Sequence, residues 1–156
     1  MHLRRRPTLW LAIAALLCAS AMTATAASAS PLLRSSVAPS LPTDPILHEV
    51  TPGSAPWVLR GGVIRLSSAG MLHVRVRGLI IPELGTAGPV TSINASLFCA
   101  NETTPAAVTP TAPLSQKGNG TIEAQVSLPE TCLTPVVLIN PLGITSIYIA
   151  TSGFGG

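Results

Sequence analysis

The chain predicts an all-β fold: a single antiparallel β-sandwich of about seven or eight short strands, with a small β-barrel as runner-up and one disulfide. Three observations carry this. Apolar and polar residues alternate with period two through residues 61–79, 92–99 and 121–128. Short runs of this kind are separated by Gly- and Pro-rich turns. No stripe of helical period follows the first thirty or so residues.

Met1 to Arg6 is a basic leader, and the apolar run from Leu9 to Leu17 follows it, as in a secretory signal peptide. Small-x-small sites end at Ala26 and Ala29, and cleavage after Ala29 is preferred. Ser20, Thr23 and Thr25 dilute the run before it reaches the roughly 20 apolar residues a membrane span needs, so an uncleaved anchor is the weaker reading. Arg4 to Arg6 raise twin-arginine export, but Pro7 and Thr8 stand where that signal wants a hydrophobic residue. Bulky Leu17 before Cys18 argues against lipoprotein processing.

Residues 30–45 hold Pro31, Pro39, Pro42 and Pro45 among Ser, Thr and Ala, and are expected to be an extended, mobile lead-in. The folded domain is expected over 46–151, beginning with a short strand at 46–50. A turn at 51–56 and the segment from Trp57 to Arg60 lead into the clearest signal in the chain, a hairpin. A three-residue loop, Ser68-Ala69-Gly70, sets Leu66 opposite Leu72 and Ile64 opposite Val74, which puts Ile64, Leu66, Leu72, Val74 and Val76 on one face. A loop one residue longer would carry Arg65 to the core side, where an unpaired guanidinium is costly, so the register is constrained. The other face carries Val63, Arg65, His73, Arg75 and Arg77.

Leu79 to Ile81 is a short apolar run stopped by Pro82. Residues 92–99 alternate with Ile93, Ala95, Leu97 and Cys99 inward, leaving Asn94 and Ser96 outward. In the Thr- and Pro-rich stretch after them only 107–109 suits a strand. Turn chemistry at 117–120 feeds the inward stripe Ile122, Ala124, Val126 and Leu128. Val136 to Ile139, apolar throughout, reads as a central strand covered on both sides, 144–151 as the last strand, and 152–156 as a flexible Gly-rich tail.

Charge and cysteine content narrow the function. The formal charge of +3 belongs to the precursor: Arg4, Arg5 and Arg6 leave with the signal, so six basic residues face six acidic ones. That balance gives no licence for nucleic-acid binding. Cys99 and Cys132 survive cleavage, and in an exported chain an even count reads as a disulfide; a metal site is the weaker reading, because His48 and His73 lie in other segments. No Ser/His/Asp constellation emerges, since Asp44 is the only Asp and lies in the lead-in. Glu83, Glu102, Glu123 and Glu130 show no paired-carboxylate spacing, and no catalytic, cofactor or metal residue is assigned. Trp57, Phe98 and Tyr148 have core-like positions, which discounts aromatic stacking platforms. Three N-x-S/T sequons begin at Asn94, Asn101 and Asn119, and chance in a Ser/Thr-rich chain explains them.

Trp57 with Gly61-Gly62, Val74-Arg75-Val76-Arg77-Gly78-Leu79, Ala95 to Cys99, Leu128 to Cys132, Pro135 to Ile139 and Ile149 to Gly153 together resemble a group of uncharacterised secreted β-sandwich proteins of high-GC bacteria. That group carries no assigned activity to transfer. The run through Val74 to Leu79 also resembles chordin-type (CHRD) extracellular domains. Residues 80–85 stand where those domains have a histidine motif, so no metal or partner site carries over.

The expected function is that of a secreted, non-enzymatic interaction or structural module without stable membrane insertion. Its candidate partner face is Arg65, His73, Arg75 and Arg77, suited to an anionic surface polymer or an acidic protein. Should Glu123 lie beside that stripe, the face is self-neutralised and is an ordinary solvated sheet surface. A small carrier of an apolar ligand between the sheets is the alternative, and a hydrolase the least favoured reading.

Overall fold

A computed structural model describes residues 29–153. They form β1 (Pro31–Pro39), β2 (Thr51–Pro52), β3 (Gly61–Ser67), β4 (Met71–Arg77), β5 (Ser92–Phe98), β6 (Ala107–Val108), β7 (Ala112–Pro113), β8 (Gly120–Gln125), β9 (Val136–Pro141), β10 (Ile147–Tyr148) and β11 (Ala150–Ser152), with no helix among the described residues. The signal-peptide reading lies outside the described residues, apart from Ala29 at its end.

The hairpin forms in the register that the alternation demands, with Leu66 opposite Leu72, Ile64 opposite Val74 and Arg65 opposite His73. Gly70, at φ 81°, closes the turn by donating its N–H to the Ser67 carbonyl at 2.9 Å. A Cβ there would meet the Val126 carbonyl oxygen at 2.2 Å, so the glycine is required for space as well as for φ. Ile64, Leu66, Leu72, Val74 and Val76 are all buried, each stabilising the fold by roughly 1.5–3 kcal/mol.

The strands run β6-β5-β9-β11-β1-β3-β4-β8 in one curled antiparallel sheet, with β7 also on β5. β1 causes the curl. Its first half pairs with β3, Leu33 opposite Leu66 through Ser36 opposite Val63, and its second half pairs with β11, Val37 opposite Ser152 through Pro39 opposite Ala150. One strand thus belongs to two half-sheets of a single curled sheet, whose core includes Ile64, Val74, Ile93, Leu97, Val137 and Ile139. At the open side β7 and β5 approach β8.

β5 and β9 are buried on both faces. On their outer face Phe98 and Leu138 pack with Val50 and Tyr148 beneath the parallel pair β2–β10. Polar atoms inside this layer are mostly satisfied. Ser96 Oγ donates to Asn140 Oδ1 at 2.7 Å, and Asn140 Nδ2 donates to the Ile147 carbonyl at 2.7 Å. Asn94 Oδ1 is buried without a hydrogen-bond partner.

Several expectations are corrected. Residues 31–39 are no mobile lead-in: Leu33, Ser35 and Val37 turn inward and β1 lies between β3 and β11. Residues 46–50 are a two-residue turn instead of a strand, closed by reciprocal Leu47–Val50 backbone bonds of 3.0 and 2.8 Å with His48 and Glu49 at positive φ. Asn94 and Ser96 are buried, because the β2–β10 layer covers the face that would otherwise meet water. The segment 144–151 splits into β10 and β11, which pair with different neighbours. Of the expected tail, Ser152 pairs with Val37 and Gly153 donates its N–H to the Ser36 carbonyl, while residues 154–156 lie outside the described residues.

Candidate functional site: a cationic sheet face

Alternation that drives Leu66, Leu72 and Val74 into the core necessarily drives Arg65, His73 and Arg75 to the outside. Strand pairing then sets these outward side chains in rows. One row crosses the half-sheet as Arg34, Arg65, His73 and Glu123, on β1, β3, β4 and β8 in turn. A second runs Ser36, Val63, Arg75 and Thr121, and beyond it Arg77 stands opposite Gly61. The four predicted residues Arg65, His73, Arg75 and Arg77 do share one face. Arg34, Arg65, Arg75 and Arg77 are exposed.

Glu123 lies beside His73, its Oε1 3.2 Å from Nδ1, and this is the sole contact within 4.0 Å between a basic and a carboxylate side chain among the described residues. The condition set from sequence for an ordinary solvated surface, Glu123 beside the stripe, is met at His73. Glu123 engages the histidine alone, and no carboxylate lies within 4.0 Å of the arginine side chains among the described residues. Arg34, which sequence reasoning had placed in the lead-in, adds a fourth guanidinium, so one carboxylate faces four of them. Its register opposite Arg65 sets two like charges side by side, a destabilising pair in a sheet unless an anion covers it.

Arg60 extends the face at the far end. Its N–H donates to the Arg77 carbonyl at 3.0 Å, and it lines an open groove of about 480 Å³ with Arg75, Arg77, Asn119 and Thr121. All five arginines after Arg6 thus lie on β1, β3, β4 or the approach to β3. Asp44, Glu49, Glu83, Glu102 and Glu130 lie instead in connections outside the strands. Arg34 and Arg60 are the members that sequence reasoning missed. The alternation of Leu33, Ser35 and Val37 about Arg34 was available as a signal, but proline density masked it.

Other predicted groups fall into structural roles. Cys99 and Cys132 are joined, with Cα atoms 4.8 Å apart, tying the end of β5 to the connection between β8 and β9. His48 stacks on Phe98 with ring centroids 4.5 Å apart, and its Nδ1 lies 2.6 Å from the Glu102 carbonyl oxygen, a contact that pins the 48–49 turn. Among the described residues no group of three or more His, Cys, Asp or Glu side chains is placed to hold a metal ion. No known family model, curated protein or solved structure matches this chain.

Proposed function

We propose that the chain is exported, loses residues 1–29, and acts outside the cytoplasm as a non-enzymatic β-sandwich docking module. Its outer β1–β3–β4 face binds an anionic surface polymer, with an acidic protein as the other partner of the same chemistry. The observation that carries this reading is the uncompensated pair Arg34–Arg65, continued by Arg75, Arg77 and Arg60 while the carboxylates, Glu123 apart, lie elsewhere. A bare solvated surface gains nothing from aligning like charges, whereas a polyanion turns that alignment into attraction. In this reading the two half-sheets joined through β1 are the two layers of the sandwich.

The test is retention of the mature protein on immobilised polyglutamate, polyphosphate and duplex DNA across a salt series. Binding to the first two that weakens steeply with salt, and is lost in the Arg75→Ser/Arg77→Ser double variant with folding intact, supports the proposal. Binding that survives both the double change and high salt refutes it. Retention on DNA alone would move the reading to nucleic acid. The carrier reading keeps one supporting observation, a groove of about 370 Å³ lined by Leu33, Leu47, Pro135 and Val136 together with polar residues that include Arg34 and His48. Uptake of an apolar fluorescent probe that Val136→Trp blocks would favour that reading.

A further inference from the structure

We infer that the groove between Arg60, Arg75, Arg77, Asn119 and Thr121 is a subsite for a single tetrahedral oxyanion, carried as a phosphate or sulfate ester on the anionic polymer. This inference rests on the docking reading and deepens it: the face as a whole attracts negative charge, and the groove selects its form.

The groove presents donors. Three of its lining residues are arginines, whose planar forks pair with phosphate as with carboxylate oxygens, and the groove's further donors are what a tetrahedral ion's additional oxygens would use. Asn119 is turned so that its Oδ1 accepts the Gly78 N–H at 3.1 Å, which leaves the Nδ2 donors for a ligand. Thr121, opposite Arg75 in the β4–β8 ladder, adds an exposed hydroxyl. No carboxylate lines the groove.

The backbone that carries Asn119 and Arg60 is held in place before any ligand arrives. Ser115 to Asn119 form a tight turn, with the Gly118 N–H on the Ser115 carbonyl at 2.8 Å, the Ser115 N–H on the Asn119 carbonyl at 3.0 Å, and the Asn119 N–H on Ser115 Oγ at 3.1 Å. The Leu79 N–H anchors that turn to the sheet through the Gly118 carbonyl at 2.9 Å. On the opposite wall Arg60 is fixed through its backbone to Arg77, and Gly78, at φ 65°, leaves room for the Arg60 side chain: a Cβ there would come within 3.0 Å of Arg60 Cβ. A volume of about 480 Å³ exceeds what one oxyanion fills and leaves room for the unit that bears it.

Calorimetric titration of the mature protein at low salt tests this with inorganic phosphate, inorganic sulfate and acetate, alongside the polyphosphate and polyglutamate columns. The expected result is binding of phosphate and sulfate but not acetate, weakened about tenfold or more by Arg60→Gln and by Thr121→Val, and unchanged by Thr103→Ala in the exposed connection between β5 and β6. Phosphate binding that acetate matches, or that Arg60→Gln leaves unchanged, overturns the subsite. The two proposals fail separately. Loss of the subsite with salt-sensitive polyanion binding retained leaves the docking face standing, whereas polyanion binding indifferent to Arg75→Ser/Arg77→Ser removes the face itself. Stronger phosphate than sulfate binding identifies the ester as phosphate, and the reverse as sulfate.

Discussion

Replacing Cys99 and Cys132 by Ala should cost about 3.7 kcal/mol of stability. The bond closes a loop of sequence separation 33, and in the chain-entropy account a loop of that size removes about 12–13 cal/mol/K from the unfolded ensemble. The loop contains the whole of β8 and its turn, so the crosslink ties the passage from one half-sheet to the other. For a domain of about 125 residues the unfolding entropy near 60 °C is about 0.26 kcal/mol/K, and the loss corresponds to a Tm lower by about 14 °C. Differential scanning calorimetry of the wild type and the double variant reads this directly, and wild type in reductant should fall to the same Tm. Because the arginine face lies on β1, β3 and β4, salt-sensitive polyanion binding should survive in the folded double variant. A drop of less than about 3 °C would refute the reasoning, since it would mean that the unfolded chain is already held together between residues 99 and 132 without the bond.

Deleting residues 30–40 should abolish cooperative unfolding seen by circular dichroism, because β1 joins β3 to β11; a normal melt would restore the lead-in reading. Gly70→Ala should destabilise by more than about 1 kcal/mol in urea unfolding, given the positive φ and the crowding against Val126. Burial first, and nearby Asp44 second, raise the Tyr148 phenol above its ordinary pKa. The fold therefore favours the neutral phenol: this stability is fully present below the unfolded value of about 10 and is lost as pH rises through the higher folded value. Tyr148→Phe should lower neutral-pH stability by about 1 kcal/mol, since the hydroxyl donates to the Pro45 carbonyl at 2.7 Å, and should flatten the alkaline limb of a pH–stability curve. Protein secreted from a glycosylating host should carry no glycan at Asn94, which is buried, as peptide mass spectrometry would show.

Local alternation was sufficient to determine the hairpin, its register, its Gly70 turn, the inward stripe of β8 and the doubly covered β9, because each is decided by side chains within a few residues of one another. The pairing of Cys99 with Cys132 was legible from their number in a chain read as exported. What alternation cannot report is which strand lies beside which. The place of β1 depends on edges offered by β3 and β11, roughly thirty and more than a hundred residues further along the chain, and in isolation its prolines and serines look like linker. The burial of Asn94 and Ser96 depends on a covering layer built from β2 and β10, segments too short to announce themselves. The candidate site divides in the same way. Arg65, His73, Arg75 and Arg77 share a face by the two-residue period of one hairpin, a local property of the sequence. The alignment of Arg34 with Arg65, the approach of Arg60 and Asn119 to one groove, and the pairing of Glu123 with His73 rather than with an arginine are set by long-range strand pairing, which tertiary packing alone selects.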